Sequence, residues 1–161
     1  MCDDIFNMRE EEDVEAVIFT GIQATGKSSF YLQQFYTTHI RLNMDMLKTR
    51  HREKLLLEAC LQAKQSFVID NTNPLQSDRK RYMDQIREHD FVITGYYFQS
   101  GIADCLTRNQ TRTGKSRVPD VAILSTHKKL ELPQMSEGYD RLYYVSLQDG
   151  NFIVEEYKDE I

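Results

Sequence analysis

Apolar residues fall in two rhythms along the chain. Short unbroken runs, such as Ala16-Val17-Ile18-Phe19 and Phe67-Val68-Ile69, read as strands buried on both faces. Between them lie stretches with apolar residues at helical spacing. The pattern predicts strands over 15–20, 39–43, 66–70, 91–98, 141–148 and 151–157. It predicts helices over 27–36, 46–64, 77–89, 102–111 and 120–130. Leu47, Leu56, Leu57, Cys60 and Leu61 supply the apolar set of the second helix. Tyr82, Met83 and Ile86 supply that of the third, with Ser77 placed to cap it. Asp149-Gly150 between the last two strands is a hairpin signal. Strands alternating with helices predict an α/β fold, a parallel β-sheet sandwiched by helices, with a C-terminal antiparallel hairpin strand. No repeat or low-complexity linker divides the 161 residues, so a single domain is expected, preceded by an acidic arm over 1–13.

Composition narrows the class. A hydrophobic fraction of 40% and a charged fraction of 28% are those of a globular chain. No apolar run approaches the ~20 residues that cross a bilayer, so no membrane association is expected. The first fifteen residues lack the apolar stretch of a secretory leader. Three cysteines without CxxC spacing read as free thiols, and the four histidines make no metal-ligand pattern. These features predict a cytoplasmic protein. The net charge of −5 is unevenly spread. Residues 1–15 carry seven acids against one base, and residues 131–161 carry eight acids against two. The middle, 16–130, carries seventeen bases against ten acids, so a polyanionic ligand is compatible with an acidic chain.

The chemistry is organised around Gly21-Ile22-Gln23-Ala24-Thr25-Gly26-Lys27-Ser28-Ser29. Gly21-x-x-x-x-Gly26-Lys27-Ser28 is the P-loop pattern, flanked by a strand and a helix as that motif requires. Its glycines let the backbone aim several N–H groups at one phosphate chain, and the helix adds its positive N-terminal end. Lys27 is spaced to reach the outer phosphates and Ser28 to hold Mg²⁺. ATP and Mg²⁺ are therefore the expected ligands, and the fold is expected to be that of a P-loop NTPase.

Three further features fall at strand ends, where ligands of such sheets bind. Asp70 closes the Phe67-Val68-Ile69 strand and is a candidate second metal holder; it is equally a residue that caps turns. Asp45 follows the second strand and is a candidate general base for an attacking hydroxyl, or else an N-cap of the next helix. Arg108, Arg112, Lys115 and Arg117 form a basic stretch within 102–119, readable as a mobile lid over phosphates or as a solvated loop.

The ordered series GIQATGKSS, Asn43-x-Asp45, VIDNTNP over 68–74, Arg79-x-Arg81-Tyr82, Arg108-Asn109-x-x-Arg112 and Val118-Pro119 resembles the 5′-polynucleotide kinase group of P-loop kinases. The likeness is strongest to the kinase module of polynucleotide kinase/phosphatases and runs from about Val17 to Leu132. It implies a kinase-like sheet, and ATP- and Mg²⁺-dependent transfer to a 5′-hydroxyl of DNA or RNA. It also implies that Asp45 is the base, that Arg112 with Arg108 belongs to the lid, and that Thr72 and Arg79 lie near the acceptor. Met44 stands where the family often has Arg, and the loop interior Ile22-Gln23-Ala24-Thr25 departs from the usual Pro- and Gly-rich version. No DxDxT phosphatase motif is present, so any phosphatase partner would be a separate chain.

Two other readings share the P-loop. The acceptor is a small alcohol such as a nucleoside or sugar, in keeping with the acidic ends and Met44. Alternatively the chain is a nucleotide-dependent switch that uses its acidic ends as partner sites. No particular protein partner follows from the sequence.

Overall fold

The computed structural model describes residues 13–158; the acidic arm expected over 1–13 lies outside them except for Asp13. Six strands form one sheet: β1 (Glu15–Thr20), β2 (Ile40–Leu42), β3 (Phe67–Ile69), β4 (Val92–Phe98), β5 (Arg141–Gln148) and β6 (Asn151–Glu156). Their order is β2-β3-β1-β4-β5-β6. All neighbours are parallel except β5 and β6, which pair antiparallel across the Asp149-Gly150 turn. The expected sheet and its closing hairpin are therefore present.

Alternation along β1 divides the core. Ala16 and Ile18 face one side with Phe67, Ile69, Leu42 and Ile93, against Leu57, Leu61, Tyr82, Met83 and Ile86. Those side chains come from the helices α3 (Arg50–Ala63) and α4 (Gln76–Ile86). Val17 and Phe19 face the other side with Val68, Phe98 and Val145, against Phe30 and Tyr31 of α1 (Lys27–Gln34) and Phe35 at its C-cap. This second face is dense in rings: Phe30 lies 5.3 Å from both Phe98 and Phe152, and Phe19 lies 5.0 Å from Phe98. Edge-to-face rings of this kind fill space rigidly, so α1 and the loop before it are held in register with the sheet.

Two helices sit over the carboxyl ends of the strands, α5 (Ile102–Gln110) and α6 (Asp120–Lys129). Cys105 and Ile123 on them pack against Ile22 and Ala24 of the loop after β1. Among the described residues no helix is long and apolar enough to cross a membrane.

One expected element is split. The helix predicted over 46–64 is two pieces, α2 (Met44–Leu47) and α3. Lys48 turns left-handed at φ 72° and closes α2, and the Thr49 hydroxyl then accepts from Arg52 N to start α3. Thr49 is a good helix starter inside an otherwise periodic run, and that run hid the break. The third helix also starts earlier than expected. Ser77 does not cap it; the Asp78 carboxylate reaches back to Leu75 N instead.

Phe30→Ala is expected to cost ~3–5 kcal/mol, the range for emptying a buried ring site. A urea melt reads this directly, and a loss below ~1 kcal/mol would mean that the ring cluster does not hold α1.

Candidate active site

Parallel strands end on the same side, and here β1, β2 and β3 deliver their following loops to one cleft of about 730 Å³. Its floor is Gln23 to Ser28. One wall is Met44, Asp45, Met46, Arg50, Asn71 and Thr72, and the opposite rim carries Arg112, Lys115 and Ser116.

The loop after β1 is built from its own backbone and its neighbours. Gly21 N donates to Thr72 O at 3.0 Å, and Ile22 N donates to the Ser100 hydroxyl at 3.2 Å. Asn73 Nδ2 donates to Phe19 O at 2.8 Å, a second tie between the ends of β1 and β3. A Cβ on Gly21 would lie 2.9 Å from that of Phe98. Gly26, at φ 94°, has a conformation that disfavours side chains and the Phe152 ring 2.9 Å from where a Cβ would be. Both positions therefore need glycine. Gly21 and Ile22 lie beneath the cleft and Ser29 on the exposed side of α1, whereas Gln23, Ala24, Thr25, Gly26, Lys27 and Ser28 line it.

Lys27 is buried, and its amine donates to Gly21 O at 2.9 Å and Ile22 O at 2.7 Å. Burial pulls its pKa from 10.5 down to about 8; Asp70 opposes this, and Arg112 adds to it.

Ser28 and Asp70 meet as expected. The Ser28 hydroxyl donates to Asp70 Oδ2 at 3.1 Å, and Asp70 is only 1% exposed. A hydroxyl and a carboxylate presented together are hard oxygen donors, and Mg²⁺ is commonly held by one or two protein oxygens plus substrate phosphates. The pair fits that ion. Among the described residues no group of three or more His, Cys, Asp or Glu is placed to hold a metal ion.

Asp45 lies in the first turn of α2, exposed and lining the cleft. It does not serve as N-cap. Asn43 does, its Oδ1 accepting from Met46 N at 3.0 Å while its Nδ2 donates to Asp70 O at 2.6 Å. Asn71 Oδ1 accepts from Met44 N at 3.0 Å, so the helix start is tied to the end of β3. The carboxylate of Asp45 is left free of capping duty.

The basic stretch divides by role. Arg112 and Lys115 reach the cleft. Arg108 instead donates from Nη1 to Ala24 O at 2.7 Å and so braces the P-loop from behind. Arg117 is exposed and does not line the cleft. Asn109, fully buried, bonds both the N–H and the carbonyl of Val118, which ties the stretch between α5 and α6 together.

Thr72 lines the cleft, but Arg79 does not. Expected near the acceptor, Arg79 is fully buried, its Nε and Nη2 donating to the Glu137 carboxylate at 2.8 and 3.1 Å. Its Nη1 donates to Asn73 O and Pro74 O. A guanidinium so occupied has no donor face to offer a substrate, and it instead clamps the turn that supports the P-loop. Sequence reasoning also missed Arg41. Its Nε donates to Asp70 Oδ2 at 2.8 Å and its Nη2 to the Ser28 hydroxyl at 3.0 Å. The available signal was a lone charge between Ile40 and Leu42 in a short strand whose alternation turns it to the α1 side.

A family model described as an AAA domain matches residues 17–133. Over 139 residues the chain is 30% identical to a bifunctional polynucleotide phosphatase/kinase of Schizosaccharomyces pombe, a match covering 83% of this chain and 34% of that one. It thus spans about a third of the length of the curated relatives it matches. Among solved structures it is similar in fold to Chaetomium thermophilum Kti12 in complex with ADP-AlF3, at TM-score 0.64 and 14% identity, covering 83% of this chain and 90% of that one. It is also similar in fold to a gluconokinase from Sinorhizobium meliloti, at TM-score 0.59 and 15% identity, covering 82% of each.

Nucleotide affinity is expected to fall as pH rises through about 8, because Lys27 then loses its charge, and Lys27→Arg is expected to flatten that fall. The folded free protein releases this proton before the unfolded chain does. Stability should therefore rise between pH of about 8 and 10.5, a rise absent from Lys27→Met; titration calorimetry and urea melts across this range check both. Arg79→Met is expected to lose ~3–5 kcal/mol of stability by stranding Glu137. A variant that kept full stability but raised the acceptor KM would restore Arg79 to the substrate side.

Proposed function

For a chain that belongs to the AAA domain family, we propose ATP-dependent transfer of the γ-phosphate to an alcohol, most specifically a 5′-hydroxyl of DNA or RNA. One observation carries the reading. Asp45, relieved of capping by Asn43, lines the same cleft as Lys27, Ser28 and Asp70. A nucleotide-dependent switch has no use for a free carboxylate at that place; a phosphotransferase does.

In this reading the P-loop N–H groups and the Lys27 amine bind the β- and γ-phosphates. Lys27 exchanges its bonds to Gly21 O and Ile22 O for phosphate oxygens, whose negative charge favours its protonated form. Mg²⁺, held by Ser28 and Asp70 with the phosphates, supplies charge neutralisation when bound. Asp45 orients the acceptor hydroxyl and takes its proton as the new P–O bond forms and the bond to the β-phosphate oxygen breaks, releasing ADP. Arg112 stabilises the charge that builds on the transferring group, and Arg108 keeps the loop in shape behind it.

Support for a nucleic-acid acceptor comes from the 30% identical relative and from Arg50 and Thr72 on the wall with Asp45 and Lys115 on the opposite rim, all lining the same cleft. A small-alcohol acceptor is the second reading, favoured by Met44 and Met46, which flank Asp45 with thioethers rather than cations. A cytoplasmic setting is part of the proposal, supported by the buried free thiols of Cys60 and Cys105.

Incubation with γ-labelled ATP and a panel of 5′-hydroxyl DNA, 5′-hydroxyl RNA, nucleosides and sugars separates the acceptors. Label is expected on the oligonucleotides, with Asp45→Asn lowering kcat by about 10²- to 10⁴-fold while nucleotide binding persists. Label on nucleosides or sugars alone would transfer the case to the second reading, and equal rates for Asp45→Asn would end the base assignment.

A further inference from the structure

The corner assigned to the metal already contains a cation of the chain's own. Arg41 belongs to the edge strand β2, where it pairs in register with Val68 of β3 and so faces the α1 side of the sheet. From there its fork spans the two oxygens in question, Nε to Asp70 Oδ2 and Nη2 to Ser28 Oγ. The carboxylate oxygen Oδ2 thus receives two hydrogen bonds, one from Arg41 and one from Ser28.

Resting on the nucleotide-kinase reading, we propose that Arg41 is a built-in counter-ion that competes with the divalent cation for Ser28 and Asp70 and thereby sets the metal requirement of the site. Asp70 is almost fully buried, and a buried carboxylate without a cation is strongly disfavoured. Arg41 meets that need when no metal is present. The guanidinium already occupies Oδ2 and the Ser28 hydroxyl, so a metal ion brought to the same two side chains would meet its positive charge at close range. Asp70 is not the part that moves, because its carbonyl is pinned by Asn43 Nδ2 and its N–H donates to Leu42 O. The Arg41 side chain is 27% exposed, and while paired with Asp70 it already has its guanidinium carbon 5.8 Å from the centre of the Tyr31 ring. Displacement toward the ring preserves a favourable contact for the cation while freeing both oxygens.

The test titrates Mg²⁺ into wild type, Arg41→Met and Arg41→Gln at a fixed concentration of a non-hydrolysable ATP analogue, with binding read by calorimetry. Arg41→Gln retains one donor to Asp70 and guards against a folding failure in the methionine variant. The half-saturating Mg²⁺ concentration is expected to fall about two- to fivefold in both variants, the size expected for removing one partly exposed competing charge. In EDTA both are expected to melt below wild type, a gap that narrows with Mg²⁺ and the analogue. An unchanged or higher Mg²⁺ requirement overturns the proposal, because Arg41 would then be neutral toward the loaded site or part of it. Failure of all three proteins to bind the analogue at any Mg²⁺ concentration overturns the nucleotide reading itself, and the proposal with it.

Discussion

The cleft depends on β1 and β3 ending side by side, with the chain after each bonded to the other. Gly21 N to Thr72 O and Asn73 Nδ2 to Phe19 O join the two exits. A parallel ladder places both exits on one edge of the sheet, and these two bonds convert proximity into a fixed spacing. The P-loop is thereby set against Asp70 and Thr72, and Asn71 in turn holds the start of α2, which carries Asp45. Donor phosphates, metal corner and candidate base are thus referenced to the same pair of strands.

Buried cations show how the fold assigns one kind of charge to different tasks. Lys27 is held by two carbonyls and the Thr25 hydroxyl, with no carboxylate bonded to it, so burial lowers its pKa. Arg79 is fully compensated by Glu137 and two carbonyls, which makes it a structural clamp. Arg41 lies between these, paired with Asp70 but partly exposed. What separates the three is how completely each is paired and whether solvent or a ring offers it somewhere else to go.

Much of this was legible along the chain. The P-loop, the six strands and the closing hairpin follow from contiguous patterns, because strand alternation and loop backbone geometry are local properties; the meeting of Ser28 with Asp70 followed only from placing each just beyond a strand of one parallel sheet. Asp45 was legible only as a choice between base and cap. Asn43, two residues earlier, is also a good cap residue, and its capture of that duty removes the cap reading. The break at Lys48 was hidden because left-handed lysines carry no sequence signal, although Thr49 offered a start signal in plain view. Arg108 and Arg112 read alike in sequence, yet one braces Ala24 and the other faces the cleft.

By itself, then, the sequence determined the donor half of the site, since nine consecutive residues contain all that a phosphate-binding turn needs. Tertiary structure decided which charges remain available around it. Arg79 looked like a substrate contact until Glu137, 58 residues further on, was brought against it. Arg41 looked like an ordinary strand residue until β2 was laid beside β3 and α1. A charged side chain is committed by whichever partner folding brings within hydrogen-bond reach, and partners so distant along the chain leave no trace in local pattern.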